Sequence, residues 1–297
     1  MAQQLFNTLV LGSIYVLFSL GMSIGWGVLG NLNLAQGAIV MFSSYIASIV
    51  GKNHNFPFVV VLVIGALVGG VVSVLMESVV FRAIRRSGGD EEELELRVVI
   101  ASIAVASVIV ALVSDYTANN TFFLQSNYLT SSYDVLGIRM TTLQLTIVGA
   151  GLILSGALDL WMRRSKAGLA VRAVAIDPET ASLMAINERR LAQMTMFLAG
   201  ALAGVAGIFL IAYYGGTTAQ NSSALLVDAF AIIIIGGVGS IGGAVVGALL
   251  FALLETLLTA YTSGTWAPAV SFAFIIVVIL VRPQGLFASS RRKVDRV

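Results

Sequence analysis

The 297-residue chain contains no cysteine, which excludes disulfides and thiolate metal sites. It holds one histidine, His54, in a loop beside Lys52, so neither a histidine metal centre nor a Ser-His triad finds support. Charge is scarce: 11% of residues are charged, against about 25% in a soluble domain. The phosphate-cradling pattern G-x-x-x-x-G-K-[ST] is missing, so ATP binding through a P-loop is not expected. H-E-x-x-H is missing too, and no carboxylate pair stands out as an acid/base couple. An enzyme is not expected. The N-terminus lacks a basic n-region, and its first apolar stretch is long enough to span, so no cleavable signal peptide is expected.

What the chain has is apolar residues: 58% of the total, with a mean hydropathy of +0.95. That is the composition of a polytopic membrane protein with little room for a soluble domain. A hydrocarbon core of roughly 30 Å needs about 20 apolar residues per helix. Candidate spans fall at about 5–29, 35–50, 58–81, 97–114, 143–162, 191–213, 225–239, 241–262 and 267–282. The second is short, and the seventh ends among glycines, so either is open to being broken or re-entrant. The expectation is an all-α transmembrane bundle of eight or nine segments, one domain over 1–297, with a polar loop at about 163–190.

The formal charge of +2 says less than its placement. Arg82, Arg85, Arg86 and Arg97 flank one loop; Arg163, Arg164, Lys166, Arg172, Arg189 and Arg190 flank another. Arg282, Arg291, Arg292, Lys293 and Arg296 flank the C-terminus. These are 15 of the 17 Lys and Arg, and nine crossings put them all on one side. Basic loops stay in the cytoplasm, so the N-terminus is expected outside and the C-terminus inside. Only Lys52 and Arg139 fall outside. The acidic run from 90 to 95 does not alter this, because acidic residues contribute little to the rule. The longest outer loop, 115–142, reads as a solvated connector or as a docking surface for an external protein.

Acidic groups within spans are few, and such groups are usually paired or functional. Glu77 is expected to pair with Arg82, and Asp159 with Arg163. Asp228 begins the seventh span, and Glu255 lies about two turns inside the eighth. Each reads as a hydrogen-bonded structural carboxylate or as a ligand on a solute path. In residues 30–38, Asn31, Asn33 and Gln36 stand between Gly30 and Gly37 in an otherwise apolar stretch. Irregular backbone at membrane depth is tolerated only where protein buries it or it lines a cavity. The element suits a polar solute, or an interfacial turn and cap. Gly236 and Gly237 open a second glycine-rich break, and Gly200, Gly204 and Gly207 form a small-residue face for close helix packing.

The polar loop holds a short helix signal. Asp177 is placed to cap it, Pro178 fits its first position, and Glu179 favours its positive end. Ala181, Leu183, Met184 and Ile186 give it an apolar surface. So short a helix is marginal alone, which predicts packing against a partner.

These residues resemble the coupling segment of permeases from ABC importers for branched-chain amino acids. The matching positions are Arg164, Ser165, Gly168, Arg172, Ala173, Asp177, Ala181, Leu183, Ile186 and Asn187, with Ala185 in place of the usual glycine. Residues 31–38, followed by Met41 and Tyr45, are similar to the family's N-x-A-H-G-[E/A] element. Residues 76–82 resemble its E-R-x-x-[YF]-R segment, 235–244 its glycine-rich element, and 282–287 its C-terminal close. The likeness is nearer to the H-type subunit than to its M-type sister. Gln36 stands where the family usually has histidine and Ala38 where glutamate is common, which leaves the solute open.

The resemblance implies a multi-pass subunit of the bacterial cytoplasmic membrane. It implies a sister permease, two ATP-binding subunits and an external substrate-binding protein as partners, besides membrane lipid, with no nucleic acid. ATP and Mg would belong to the partners, and no cofactor to this chain. A solute path through Asn31, Asn33, Gln36, Gly37, Asp228, Gly236, Gly237 and Glu255 is expected, and ATPase coupling through Asp177, Pro178, Ala181, Met184, Ala185 and Asn187. The expected solutes are branched-chain or related amino acids, with urea or short amides as the alternative. A stand-alone secondary transporter with inverted repeats is the alternative of another class, and a scaffold or receptor without transport a third.

Overall fold

The computed structural model describes residues 1–261, apart from 31, 54, 55, 125–128, 130, 136, 177, 185, 186 and 238, together with 273, 276 and 280. The expected ninth span and the basic tail lie outside the described residues, except for those last three positions.

The chain is a helical membrane bundle. α1 (Ala2–Leu29) ends at Gly30, whose positive φ of 69° closes the helix as its N–H donates to Trp26 O. α2 (Gln36–Asn53) returns, and α3 (Phe58–Met76) comes next. α3 continues through a π-helical turn (Glu77–Phe81) into α4 (Arg82–Arg86). α5 (Glu91–Tyr116) begins inside the acidic run that reads as a loop in one dimension. Carboxylates favour a helix N-terminus, and Glu93 accepts from Arg97 one turn on at 2.6 Å.

The 115–142 loop contains a short sheet among its described residues. β1 (Ser132–Val135) and β2 (Ile138–Thr141) form an antiparallel hairpin. Gln3 of α1 clamps it, donating to Arg139 O at 3.1 Å and accepting from Arg139 N at 2.9 Å. α6 (Thr142–Arg164) starts in a capping box in which Thr141 and Gln144 bond each other's backbone N–H groups. α7 (Lys166–Ile176) and α8 (Pro178–Leu183) occupy the polar loop. α9 (Glu188–Tyr214), α10 (Asn221–Gly236) and α11 (Ile241–Tyr261) complete the described bundle.

Six helices among the described residues are long and apolar enough to cross a membrane: α1, α3 with its extension, α5, α6, α9 and α11. α2 has 18 residues and α10 has 16. At 1.5 Å per residue they reach about 27 and about 24 Å, a little short of the hydrocarbon core.

α1 and α9 form the centre, and the other long helices turn one side outward. Small residues set the spacing. A Cβ on Gly200 would strike Gly69 O and Ser73 Oγ, and one on Gly204 would strike Gly65 O. The reciprocal additions on Gly69 and Gly65 would strike Gly200 O and the Ile208 side chain. α3 and α9 therefore meet backbone to backbone through two facing G-x-x-x-G pairs. Elsewhere on α9, Gly207 abuts Val40 O of α2, and Ala199 O abuts Gly21 of α1.

Candidate functional site

The amide element sits inside the bundle. Leu34 N donates to Ser102 Oγ, near the middle of α5, at 3.1 Å. Gln36 Nε2 donates to Ala199 O, near the middle of α9, at 3.0 Å. Non-helical backbone, half-buried at residues 32–34, is thus held beside the middles of two long helices, where it has to be covered by protein or line a cavity. Asn33 Oδ1 accepts from Ala35 N at 3.0 Å, and Asn33 Nδ2 reaches Gln36 Oε1 at 3.5 Å. Gln36 is 2% exposed, so its amide joins α2 to α9. A Cβ on Gly37 would strike Ser222 O, so Gly37 lets α10 approach this element. Asn31 lies outside the described residues.

A second polar cluster lies between α1, α9, α10 and α11. Tyr15 OH donates to Glu255 Oε2 at 2.7 Å, and Tyr15 is fully buried. Tyr214 interacts with both Tyr15 and Glu255, and Asp228 is within electrostatic reach of Glu255. Among the described residues neither carboxylate has an ion pair. The hydrogen-bonded carboxylate expected at 255 is present, and its partners Tyr15 and Tyr214 are not among the residues that sequence reasoning singles out. No spacing signal joins residues about 240 positions apart.

Gly236 and Gly237 do not stand beside that cluster. Cβ atoms on Gly236 and Gly243 would each strike the other's carbonyl oxygen, and one on Gly247 would strike Ile232 O. Gly237 and Gly239 take positive φ, 96° and 74°. This is the tight turn and crossing of α10 on α11, near the end of α1, where Gly27 approaches Gly239.

Two pairing expectations resolve differently. Arg163 bonds Asp159 at 2.9 Å, as the i,i+4 spacing predicts. Glu77 pairs with Arg85 and not with Arg82. The π turn between them widens the helix and shifts the register of α4, which brings Arg85 to the buried carboxylate.

At the basic end, α7 and α8 fold against the bundle. Val171, Val174 and Ala181 pack with Met162 and Leu191. Ala181 is 3% exposed and so faces the protein's own helices. That corrects its expected place on an outward contact surface. A six-residue helix gains stability only by burying such a face. Leu183 at its end and Met184 in the turn that follows point outward, 86% and 75% exposed. Pro178 opens α8. Asn187 caps α9 instead of extending α8, its Oδ1 accepting from Arg190 N at 3.0 Å. Asp177 and Ala185 lie outside the described residues. Leu183 and Met184 thus leave two adjacent large apolar side chains exposed at this end of the bundle.

The chain is similar to known proteins over nearly its whole length. The family described as the permease component of branched-chain amino acid transport systems matches residues 4–280. The high-affinity branched-chain amino acid transport system permease protein LivH of Salmonella typhimurium is 31% identical over 99% of this chain and 97% of its own length. The corresponding BraD protein of Pseudomonas aeruginosa is 28% identical over 99% and 97%. A probable branched-chain amino acid transport permease, LivH of Methanocaldococcus jannaschii, is 25% identical over 98% and 94%.

Proposed function

Because this chain belongs to the family of permease components of branched-chain amino acid transport systems, we propose that it passes branched-chain or closely related amino acids across the cytoplasmic membrane. It is a multi-pass inner-membrane permease subunit of an amino-acid importer. The observation that carries the reading is the family match over nearly the whole chain, 4–280. A stand-alone secondary transporter is set aside on the same ground.

In this proposal, ATP and Mg are bound by two partner subunits on the cytoplasmic face, and an external protein delivers the solute. A sister permease supplies the other half of the path. α8 couples the permease to the ATPase: its outward Leu183 and Met184 seat in the partner, and ATP-driven closure moves it. Coupling requires the two access states to differ in those contacts. The amide element and the Asp228–Glu255 cluster line the path. A zwitterionic amino acid needs an anion for its ammonium group, and two carboxylates without a cation partner offer one. The N-terminus lies outside and eight or nine segments cross. The meeting of Tyr261 OH with Met1 Sδ, at the end opposite the basic clusters, supports this alternation.

Orientation has a direct test in a cysteine-free chain. Single cysteines at Ser87, Ser165 and Ser289 should resist an impermeant thiol reagent in intact cells, while one at Ser132 should react. Labelling at Ser165 without permeabilisation would overturn the orientation.

The solute path is tested by uptake of labelled leucine into vesicles holding the assembled complex. A charge-assisted hydrogen bond contributes about 1.5–3 kcal/mol, or roughly 10- to 150-fold. Glu255→Gln should therefore raise the KM for leucine by at least about tenfold. Asp228→Asn should act in the same direction. Gln36→Ala removes a neutral bond and should cost about 0.5–1.5 kcal/mol. Unchanged leucine uptake in all three variants removes these residues from the path. Competition by urea but not by valine would move the solute to the short-amide class.

A further inference from the structure

Between the basic ends of α6 and α9 lies an open crevice of about 310 Å³, lined by Trp161, Arg190, Gln193, Met194, Phe197 and Leu198. Its chemistry changes along the helix axis. Arg190 stands at the end nearest water, and Met194, Phe197 and Leu198 succeed it over about 12 Å of helix. Trp161 forms the opposing wall.

Arg190 is the arginine on the crevice itself, and further arginines stand next to it in the chain and at the adjoining π turn. Gln193 Nε2 donates to Ser78 Oγ at 2.9 Å, which ties the crevice to the π turn and the arginines after it. Arg82 lies within electrostatic reach of both Arg86 and Arg189. None of Arg82, Arg86, Arg189 and Arg190 makes an ion pair among the described residues. Glu77, whose charge also reaches Arg82, is committed to Arg85. Like charges gathered without a counter-ion repel, and they hold a place for an anion.

We propose that this crevice is a binding site for an anionic phospholipid. Its phosphate sits among Arg82, Arg86, Arg189 and Arg190, and one acyl chain runs along Met194, Phe197 and Leu198 against Trp161. The match is one of length and polarity: a charged head at the interface, an apolar tail beside it, and an indole at the boundary where such rings collect. Basic pockets between spans bind acidic headgroups by the same balance of forces. The site requires only that the chain be embedded in a bilayer. It stands or falls independently of which solute is carried.

The test uses the assembled complex with Trp161 as its own reporter, after Trp26→Phe and Trp266→Phe in this chain and with the partner subunits' tryptophans likewise replaced. The complex is placed in phosphatidylcholine nanodiscs containing an equal minor fraction of brominated phosphatidylglycerol or brominated phosphatidylcholine. Brominated phosphatidylglycerol should quench Trp161 several-fold more strongly. Removing a basic residue near an anionic surface weakens attraction by about fivefold, so Arg190→Gln and Arg189→Gln should each reduce the preference by that factor. Arg163→Gln should leave it unchanged, because Arg163 is already neutralised by Asp159. Equal quenching by the two lipids overturns the proposal. So does quenching that is seen with this chain alone and lost in the complex, which would assign the crevice to the sister permease. Loss of the preference on adding inorganic phosphate would assign the arginines to a free anion and overturn it as well.

Discussion

Gly200→Leu should stop α9 from seating on α3, and with it the folding of the bundle. The added side chain would begin inside Gly69 O and Ser73 Oγ. The Gly69 carbonyl has no room to yield, because Gly69 is itself packed on Gly200 O. Overpacking a core ordinarily costs about 1–3 kcal/mol, and here the obstacle is backbone on both sides. In lipid no hydrophobic force compensates, since tails and leucine are equally apolar. A loss of about 3 kcal/mol or more corresponds to a fall in Tm on the order of 10 °C. The readouts are the yield of monodisperse detergent-solubilised complex and its thermal denaturation. Gly156→Leu is the control, because nothing lies within 4 Å of a Cβ there. If Gly200→Leu matched the unsubstituted protein in yield and Tm, the backbone contact of α3 with α9 would be wrong.

Leu183→Asp combined with Met184→Asp should leave the permease folded and disconnect it from ATP hydrolysis. Both side chains project from the end of α8 and the turn after it with most of their surface free, so their loss removes little from the permease itself. Burying each against a partner would contribute about 1.5–3 kcal/mol, and an aspartate in the same groove would be left unpaired. Association with the ATPase subunits should weaken by about 100-fold or more. The measurements are co-purification of those subunits and solute-stimulated ATP hydrolysis in vesicles. Ala181→Glu separates the two faces of the helix. Its charge would enter the Met162, Val171, Val174 and Leu191 cluster, lowering the permease's own stability as well as coupling. Full association and full stimulated hydrolysis in the double variant would remove α8 from the coupling role.

Much of the fold is legible in one dimension, and the exceptions have physical causes. Apolar run lengths locate the long helices because lipid demands them whatever their neighbours. The Asp159–Arg163 pair is legible because four residues make one helical turn. Arg82 looks like the partner of Glu77, and Arg85 is, because a π turn is a local event with no composition of its own. The acidic run reads as loop, but its charges stabilise the first turns of α5. The β1–β2 hairpin leaves no clear signal because it is short and is held by Gln3, far away in the chain. Ala181 reads as outward because an isolated short helix gives no sign of which apolar face is covered.

The sequence alone determined that this is an all-α membrane protein and located its long helices, its glycine-rich contacts and its charged segment. These are properties of composition, period and charge placement, and the bilayer imposes them locally. The tertiary structure decided what each polar residue meets. It joined Tyr15 to Glu255, Gln36 to Ala199 O, and Gly200 to Gly69. It also turned Ala181 in and left Leu183 and Met184 out. Contacts between residues far apart in the chain depend on how the helices rotate and cross, and that is set by the summed packing of the whole bundle.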